Sequence, residues 1–317
     1  MPLKIALTGA TGFVGRAAVS SLIAGRHRVS ALVRDSALAN LVPEVRLVPG
    51  DLQNGAALDD LTKGADVAVH IAGVIGAHSR TDYFVANEQG TLAVAEAAAR
   101  NGVKRFVHIS SLAAREPQLS VYGASKRAGE AVLEKFSSRM SIVILRPPAV
   151  YGPGDRGTLP LLRSLTQSFA VIPGNSTSRF SLIYVDDLVR IIAEAAGAAR
   201  TGVIELDDGR RQGYDWKELA HIASVAEQKS IKPIFLPKSV AMPVAAIVEA
   251  MARIAGKLPF VSRDKLHQLY HGDWVARGDG WPLKEPVDFV KGFSLTLDWY
   301  RQEQWLPERF GKHKIVA

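Results

Sequence analysis

The chain has 317 residues, of which 47% are hydrophobic and 22% charged, a composition typical of a globular enzyme with one large or two modest domains. It contains no cysteine, which excludes disulfides, thiolate metal sites, iron–sulfur clusters and a cysteine nucleophile, and we predict no metal site. The net charge of +8 comes from scattered lysines and arginines, so we expect a basic surface rather than nucleic-acid binding.

The chain begins with residues that lead directly into a strand pattern, Met1–Thr8. We therefore expect no signal peptide, no membrane-spanning helix and a cytoplasmic location. The most apolar late stretch, Val240–Ala255, is interrupted by Pro243, Glu249 and Arg253, which is typical of an amphipathic helix. We expect this helix to pack against the protein rather than to contact a membrane.

Short β-rich runs alternate with helical patterns over the first 150 residues. The predicted strands are Leu3–Thr8, Arg28–Arg34, Val45–Val48, Asp66–Ile71, Lys104–Ile109 and Ser141–Leu145. The predicted helices between them are Phe13–Ala24, Ala56–Leu61, Phe84–Asn101 and Tyr122–Ser137. Repeated βα units predict an α/β fold of the Rossmann type, with a doubly wound parallel sheet and helices on both faces.

Prolines loosen the pattern after residue 150. Helices are predicted at Asp186–Ala196, Asp215–Gln228, Val240–Gly256 and Pro286–Gln302, and strands at Phe180–Ile183, Val203–Leu206 and Pro233–Leu236. We therefore predict an NAD(P)-binding domain over residues 1–150 and a smaller mixed substrate-binding lobe over residues 151–317. The two are expected to be partly interleaved, since Val203–Leu206 suits an added strand of the main sheet.

Three glycines with G-x-x-G-x-x-G spacing follow the first strand and open the first helix. Glycine permits a tight turn and a close approach of backbone to a pyrophosphate, and the helix N-terminus offers free N–H groups to that anion. The residues predicted to hold the cofactor here are Gly9, Thr11, Gly12, Phe13, Val14 and Gly15. The alternative is a tight turn without a ligand.

The end of the second predicted strand bears on the type of cofactor. Arg34 precedes Asp35 there, and Arg16 lies just past the last glycine of the turn. An arginine accommodates the 2′-phosphate of NADP, whereas an acidic residue binds the 2′-hydroxyl of NAD. We favour NADP over NAD; the alternative is that Asp35 recognises the ribose. Asp51 and Leu52, after the third strand, are expected to border the adenine.

The predicted fourth strand ends in the sequence His70-Ile-Ala-Gly73. Backbone at the carboxyl end of this strand is expected to pass the cofactor, so Ala72 and Gly73 join the predicted cofactor-binding residues. His70 is expected to be a packed strand residue rather than a catalytic group.

Tyr122 and Lys126 lie four residues apart on a predicted helix and therefore share one face. A nearby ammonium lowers the pKa of a tyrosine, so we predict that Tyr122 exchanges a proton with a substrate oxygen while a nicotinamide exchanges a hydride. Ser111 ends the fifth strand and is predicted to polarise a carbonyl, with Ser110 as its structural partner. Lys126 is also expected to hold the nicotinamide ribose, so Tyr122 and Lys126 join the predicted cofactor-binding residues. Asn87 is predicted to order backbone or water near the lysine.

Several segments together resemble the short-chain dehydrogenase/reductase superfamily, in its extended and atypical branches, which include epimerase/dehydratase-like enzymes. The segments are Thr8–Gly15, Gly50–Leu52, Asn87–Thr91, His108–Ser111, Tyr122–Lys126, Arg146–Gly154 and Phe180–Leu188. The resemblance implies that Tyr122 is the acid/base, Lys126 its electrostatic helper and Ser111 the group that binds the reacting oxygen. It also implies that the loop containing Pro148 lies near the nicotinamide.

The chain departs from most extended members in the short spacing between Ser111 and Tyr122. This short loop is more similar to atypical members, some of which are non-catalytic NAD(P)H-binding subunits or redox sensors. Because Tyr122 and Lys126 are retained, we favour an NAD(P)-dependent oxidoreductase or epimerase/dehydratase. A homodimer through the two helices Phe84–Asn101 and Tyr122–Ser137 is common in the family and is a further expectation.

The sequence leaves the small-molecule substrate open between two classes. A nucleotide sugar would suit the polar residues of the lobe, Arg156, Arg179 and Tyr184, and Arg179 would meet a phosphate or cap a surface loop. A sterol-like alcohol would suit the apolar residues Phe169, Phe260, Trp274 and Trp281, for which core packing is the alternative.

Overall fold

A parallel sheet of seven strands forms the centre of the protein. The structure is a computed structural model, and it describes residues 1–37, 39–259 and 262–307. In chain order the strands are β1 Lys4–Thr8, β2 Arg28–Val33, β3 Arg46–Pro49, β4 Val67–His70, β5 Arg105–Ile109, β6 Ser141–Arg146, β7 Ala149–Tyr151, β8 Phe169–Pro173, β9 Arg179–Phe180, β10 Leu182–Tyr184, β11 Gly202–Glu205, β12 Tyr214–Asp215, β13 Lys232–Leu236 and β14 Asp273–Trp274. The α-helices are α1 Phe13–Ala24, α2 Gly55–Thr62, α3 Arg80–Phe84, α4 Gly90–Arg100, α5 Val121–Ala131, α6 Leu159–Ser164, α7 Val185–Gly197, α8 Trp216–Glu227, α9 Lys238–Ile254, α10 Arg263–Leu269 and α11 Phe289–Gln302.

The order of strands in the main sheet is β11-β6-β5-β4-β1-β2-β3. Helices α1 and α7 contribute to the hydrophobic core on one face, and α2 and α4 to the core on the other. The predicted α/β fold is therefore confirmed. The late strand β11 pairs in parallel with β6, as the composition of its segment suggested.

Smaller sheets and a second core follow residue 150. Strand β7 pairs with β10, β8 with β13, and β9 lies between β12 and β14. Large aromatic side chains fill this second core, among them Tyr151, Tyr214, Phe289 and Tyr300. A division of the chain at residue 150 stays a prediction, and α7 and β11 show that the later segment returns to the main sheet.

The long helix predicted at Phe84–Asn101 is divided in the structure. Helix α3 ends at Phe84, a π-helical turn covers Val85–Gln89, and α4 follows. A π-turn shifts the register of the following side chains and occurs frequently at functional sites. Its residue Asn87 is buried. The next predicted helix, Tyr122–Ser137, is α-helical only as far as Ala131.

No helix within the described part of the chain combines the length and apolar character that a membrane span requires.

Candidate active site

The glycine-rich turn packs against the end of β4. Gly9 has a φ of +80°, and a Cβ on it would lie 2.5 Å from the backbone nitrogen of Ala72. A Cβ on Gly15 would lie only 1.9 Å from the Gly9 carbonyl oxygen, so α1 also approaches the turn too closely for any side chain. At Gly12 the nearest atom would be 3.4 Å away. Packing therefore requires glycine at the first and third positions but not at Gly12.

The N-terminus of α1 has the properties of an anion site. Gly12 is its N-cap and supplies no side-chain cap, and the first turn contains no acidic residue. The first N–H groups of a helix lack intrahelical partners and carry a partial positive charge. The side chains of Phe13 and Val14 pack beside Val185 and Val189. Phe13 and Val14 therefore have only their backbone N–H groups available for an anion at the turn. The open space at Gly12 and the uncapped helix fit a pyrophosphate.

Alanine substitutions should separate the two uses of glycine in this turn. We expect Gly15→Ala to lower the free energy of unfolding by at least about 3 kcal/mol, because the Gly9 carbonyl must move. We expect Gly12→Ala to cost less than about 1 kcal/mol, yet to weaken dinucleotide binding by filling the cradle. Urea unfolding and fluorescence titration with the reduced dinucleotide measure both effects. Gly55→Ala, where no atom lies within 4 Å, is the control, and equal effects at all three positions would contradict this assignment.

Arg34 lies exposed at the end of β2. Its guanidinium forms no hydrogen bond or ion pair with the other residues that the structure describes. Arg16 is instead held by backbone, since it donates to the carbonyl oxygens of Thr11 at 3.1 Å and Asn40 at 2.9 Å. The Asp35 carboxylate accepts a hydrogen bond from a backbone N–H two residues later. Within the described ranges, Arg34 is thus a cation without a partner at this edge of the glycine-rich turn.

The predicted adenine-bordering residues follow β3. The Asp51 carboxylate accepts a hydrogen bond at 2.9 Å from the N–H of Gln53 and shapes the turn. The Leu52 side chain packs on α4 so closely that a Cβ on Gly90 would lie 2.6 Å from it. Pro148 is buried between β6 and β7. Asp51 and Leu52 thus lie after β3 and Pro148 after β6, and their contact with a cofactor stays a prediction.

Lys126 on α5 is buried and anchored to the end of β5. Its Nζ donates a hydrogen bond of 2.7 Å to the Ile109 carbonyl oxygen, and a Cβ on Gly73 would lie 3.7 Å from Nζ. Burial lowers the pKa of Lys126 to about 8, and the negative charge of Glu130 opposes this shift. An ammonium therefore lies directly beside the loop that follows β4.

The phenol of Tyr122 lies beside the hydroxyl of Ser111. That these two groups act on one substrate oxygen stays a prediction. Burial raises the pKa of Tyr122, the Ser111 hydrogen bond opposes this rise, and the Tyr83 phenol adds to it. The expected lowering of this pKa by Lys126 is not found, and the Lys126 ammonium is instead directed at the Ile109 carbonyl. Tyr122 is therefore a neutral phenol, which is the proton-donating form.

Asn87 joins the loop after β4 to the helix of the tyrosine. Its Oδ1 accepts a hydrogen bond from the Val74 N–H at 2.8 Å, and its Nδ2 donates to the Val74 carbonyl at 3.0 Å and to Ser125 Oγ at 2.8 Å. Asn87 thus holds the backbone of Val74, and its predicted part in the site beside the lysine stays a prediction. Sequence reasoning did not single out Ser125, although it lies inside the Tyr-Gly-Ala-Ser-Lys motif.

Two stacked histidines lie beneath the lysine. His70 hydrogen-bonds through Nδ1 to Thr8 Oγ1 at 2.7 Å and through Nε2 to Thr91 Oγ1 at 3.1 Å. Burial, followed by the charge of Lys126, lowers its pKa to about 3, so the ring is neutral and has a packing role. Its ring centroid is 5.4 Å from that of His108, a residue that the sequence patterns did not single out.

Glu130 extends the face of α5 by four residues beyond Lys126. Its carboxylate accepts hydrogen bonds from Arg146 at 2.8 and 2.6 Å and from the Ser110 hydroxyl. All three side chains are buried, and Arg146 also lies 3.5 Å from Glu205 on β11. Ser110, predicted to be a structural partner, therefore donates its hydrogen bond to Glu130. The spacing of four residues between Lys126 and Glu130 was the sequence signal that could have identified Glu130.

The short connection from Ser111 to Tyr122 is covered by the C-terminal lobe. Its Arg115 donates to the Val275 carbonyl at 2.8 Å and pairs with Glu205 at 3.0 Å. The lobe thus packs directly on the loop that precedes α5.

The polar candidates of the lobe are engaged within the protein. Arg179 donates to the carbonyl of Gln212 at 2.8 Å and lies within 3.7 Å of Asp215 and Glu218. It therefore caps a loop, one of its two predicted roles. The other two polar candidates also have partners: the Arg156 guanidinium covers Trp305, and Tyr184 packs on Tyr151. Of the apolar candidates, Trp281 lies in the main core and Phe169 is exposed. Phe260 lies outside the described residues.

Comparison with known proteins gives concordant results. Residues 5–205 match the NAD dependent epimerase/dehydratase family. The chain is 38% identical over 310 residues to a ceramide reductase of Caulobacter vibrioides, covering 96% of each protein. It is 31% identical to a UDP-glucose 4-epimerase of Vibrio cholerae, over 61% of this chain and 66% of that protein.

Solved structures of similar fold include a UDP-N-acetylglucosamine 4-epimerase from Methanobrevibacter ruminantium M1 in complex with UDP-N-acetylmuramic acid. Its TM-score is 0.71 at 20% identity, covering 95% of this chain and 99% of that one. A UDP-glucuronic acid 4-epimerase from Bacillus cereus in complex with NAD has a TM-score of 0.69 at 21% identity, with the same coverage. At these identities the similarity shows a shared fold.

Proposed function

Because the chain belongs to the NAD dependent epimerase/dehydratase family and is an NAD(P)-dependent enzyme, we propose that it reduces a ketone on a ceramide-class lipid. The observation that carries this proposal is the similarity to the ceramide reductase, which extends over 96% of both chains and so includes the lobe beyond residue 205. The neutral phenol of Tyr122 supports the direction of reduction, because a ketone needs a proton donor.

The site residues have distinct parts in this reduction. A reduced nicotinamide, when bound, supplies the hydride that the carbonyl carbon accepts. Ser111 donates a hydrogen bond to the carbonyl oxygen, and Tyr122 gives that oxygen its phenolic proton. The Ser111 hydroxyl, whose hydrogen bond lowers the pKa of Tyr122, then donates to the phenolate until a solvent proton replaces the one transferred. The products are the alcohol and the oxidised dinucleotide.

The lobe favours a lipid over a nucleotide sugar. The guanidinium of Arg179, the sequence candidate for a phosphate, already contacts two carboxylates, of Asp215 and Glu218. Its release toward a diphosphate would break the ion pair with Asp215, while Glu218 would keep its pair with Arg210. An amide-linked long-chain lipid carries no diphosphate, so its binding does not require Arg179 to leave these ion pairs.

The direct test is consumption of reduced dinucleotide by the purified protein. The substrate is a ceramide whose long-chain base carries a ketone in place of a hydroxyl, presented in detergent micelles. We expect turnover with this ketone and none with UDP-sugars or hydroxysteroids, the two classes that the sequence left open. Turnover of a UDP-sugar without turnover of the lipid ketone would contradict the proposal.

We further propose that NADPH is preferred over NADH, because Arg34 presents a free guanidinium at the end of β2. Arg34→Ala should lower kcat/KM for NADPH by about 10- to 100-fold, the loss expected for one hydrogen bond to a charged group. Its kcat/KM for NADH should change little. Arg28→Ala, at the opposite end of the same strand, is the matched control. A wild-type preference for NADH would indicate that Asp35 recognises the ribose instead.

A further inference from the structure

Helix α9 presents an apolar face that no other element of the described residues covers. Large side chains recur every three or four residues along it and onward, and all of them are exposed: Val240, Val244, Ile247, Met251, Ile254 and Leu258. The exposed fractions reach 65% at Met251 and 88% at Ile254. Within α9 this spacing puts Val240, Val244, Ile247, Met251 and Ile254 on one side of the helix, where they form an apolar stripe, and Leu258 follows the end of the helix.

The opposite side of α9 is the one that packs. Ala241 and Ala245 are buried and form a small core with Leu266 of α10. The predicted packing against the protein is therefore seen on this side of the helix, where Met242 also contacts the small core. The larger apolar side chains of the stripe remain exposed to water. Exposed apolar surfaces of this kind mark interaction sites.

The stripe borders the candidate active site. Leu258 reaches the loop after β4, where a Cβ on Gly76 would lie 3.8 Å from it. Ile75 in the same loop is 78% exposed and enlarges the apolar surface. From α10, Asp264 accepts a hydrogen bond of 2.8 Å from the N–H of Val121, the residue before Tyr122. The apolar surface and the proton donor thus belong to adjoining elements.

Basic groups accompany the stripe. Lys238, Arg253 and Lys257 are exposed and form no ion pair with other residues in the described ranges. The acidic residue of α9, Glu249, is paired with Arg263 at 2.8 Å. An apolar stripe flanked by unpaired cations is the pattern by which an amphipathic helix binds the surface of an anionic bilayer.

We propose that α9, Leu258 and Ile75 dock the protein on an anionic lipid surface, with the loop after β4, which borders the candidate active site, facing the bilayer. A ceramide-class substrate would then reach Tyr122 without crossing water, a consequence that rests on the proposed function. The docking itself rests on the apolar stripe and its charges. A second copy of the chain is the other occupant of suitable chemistry, but it would bring the same cations into contact.

Flotation of the full-length protein with lipid vesicles tests the docking. We expect binding to vesicles of phosphatidylglycerol mixed with phosphatidylcholine, weaker binding to phosphatidylcholine alone, and loss of affinity as salt rises. The variant Ile247→Gln/Met251→Gln/Ile254→Gln should bind the anionic vesicles at least roughly tenfold more weakly. The matched control is Val225→Gln/Val290→Gln/Leu295→Gln, three exposed apolar residues on α8 and α11, which should bind like the wild type.

The outcomes separate docking from substrate. Melting temperature and dinucleotide binding show that each variant is folded. Absence of wild-type binding to anionic vesicles would overturn the proposal. So would a dimer by light scattering that the α9 variant converts to a monomer, without vesicle binding, because the stripe would then join two copies. Vesicle binding without reduction of the lipid ketone would keep the docking and reject the proposed substrate.

Discussion

Replacing Tyr122 with phenylalanine should lower kcat for ketone reduction by about a thousandfold, within the range that a positioned proton donor contributes. The phenol is neutral and lies beside Ser111, so its removal takes away the proton and leaves the rest of the site in place. Affinity for the reduced dinucleotide should stay within about twofold, since the transferred proton contributes to the transition state and not to cofactor binding. Steady-state kinetics and fluorescence titration measure the two quantities.

Tyr83 provides the control for this prediction. Its phenol lies close enough to influence Tyr122, but it donates its hydrogen bond to the Ile75 carbonyl at 3.4 Å and not to Ser111. We expect Tyr83→Phe to change kcat by less than about tenfold, since it removes no proton donor. If Tyr83→Phe abolished turnover while Tyr122→Phe retained it, the acid would have been assigned to the wrong phenol.

Replacing Glu130 with alanine should lower the free energy of unfolding by about 3 to 5 kcal/mol, the cost of removing one partner from a buried ion pair. The guanidinium of Arg146 would remain buried without its two hydrogen bonds, and the Ser110 hydroxyl would lose its acceptor. Urea denaturation measures the effect, provided that the slope with denaturant stays unchanged.

An exposed ion pair of similar geometry is the comparison. Asp60 binds Arg46 through two contacts of 2.7 Å, and both side chains are about half exposed. Asp60→Ala should therefore cost less than about 1 kcal/mol. A loss at Glu130 no larger than the loss at Asp60 would show that the buried network does not stabilise the fold.

The Glu130 network also links the proton donor to the rest of the fold. Tyr122, Lys126 and Glu130 follow one another at four-residue intervals on α5, and Glu130 is tied through Arg146 to β6. Glu205 on β11 lies beside the same arginine. The helix that carries the phenol is thus held against two strands of the main sheet, which limits its movement.

Much of the fold was predictable because its signals are local. The bounds of α1 agree at both ends, and β11 joined the sheet as expected, since alternating β-rich and helical runs identify βα units wherever they occur. The glycine turn and the tyrosine–lysine pair were visible for the same reason. Their chemistry depends on spacings of three or four residues, which the printed sequence shows directly.

The tertiary structure decided what depends on residues far apart in the chain. The π-helical turn at Asn87 depends on Val74 and Ser125, and the protonation of Tyr122 depends on how the fold buries it. The exposure of the α9 stripe likewise depends on which side of that helix α10 covers. A spacing states which side chains share a face, but the pKa of a group and the solvent exposure of a face are set by the desolvation and contacts that distant elements impose.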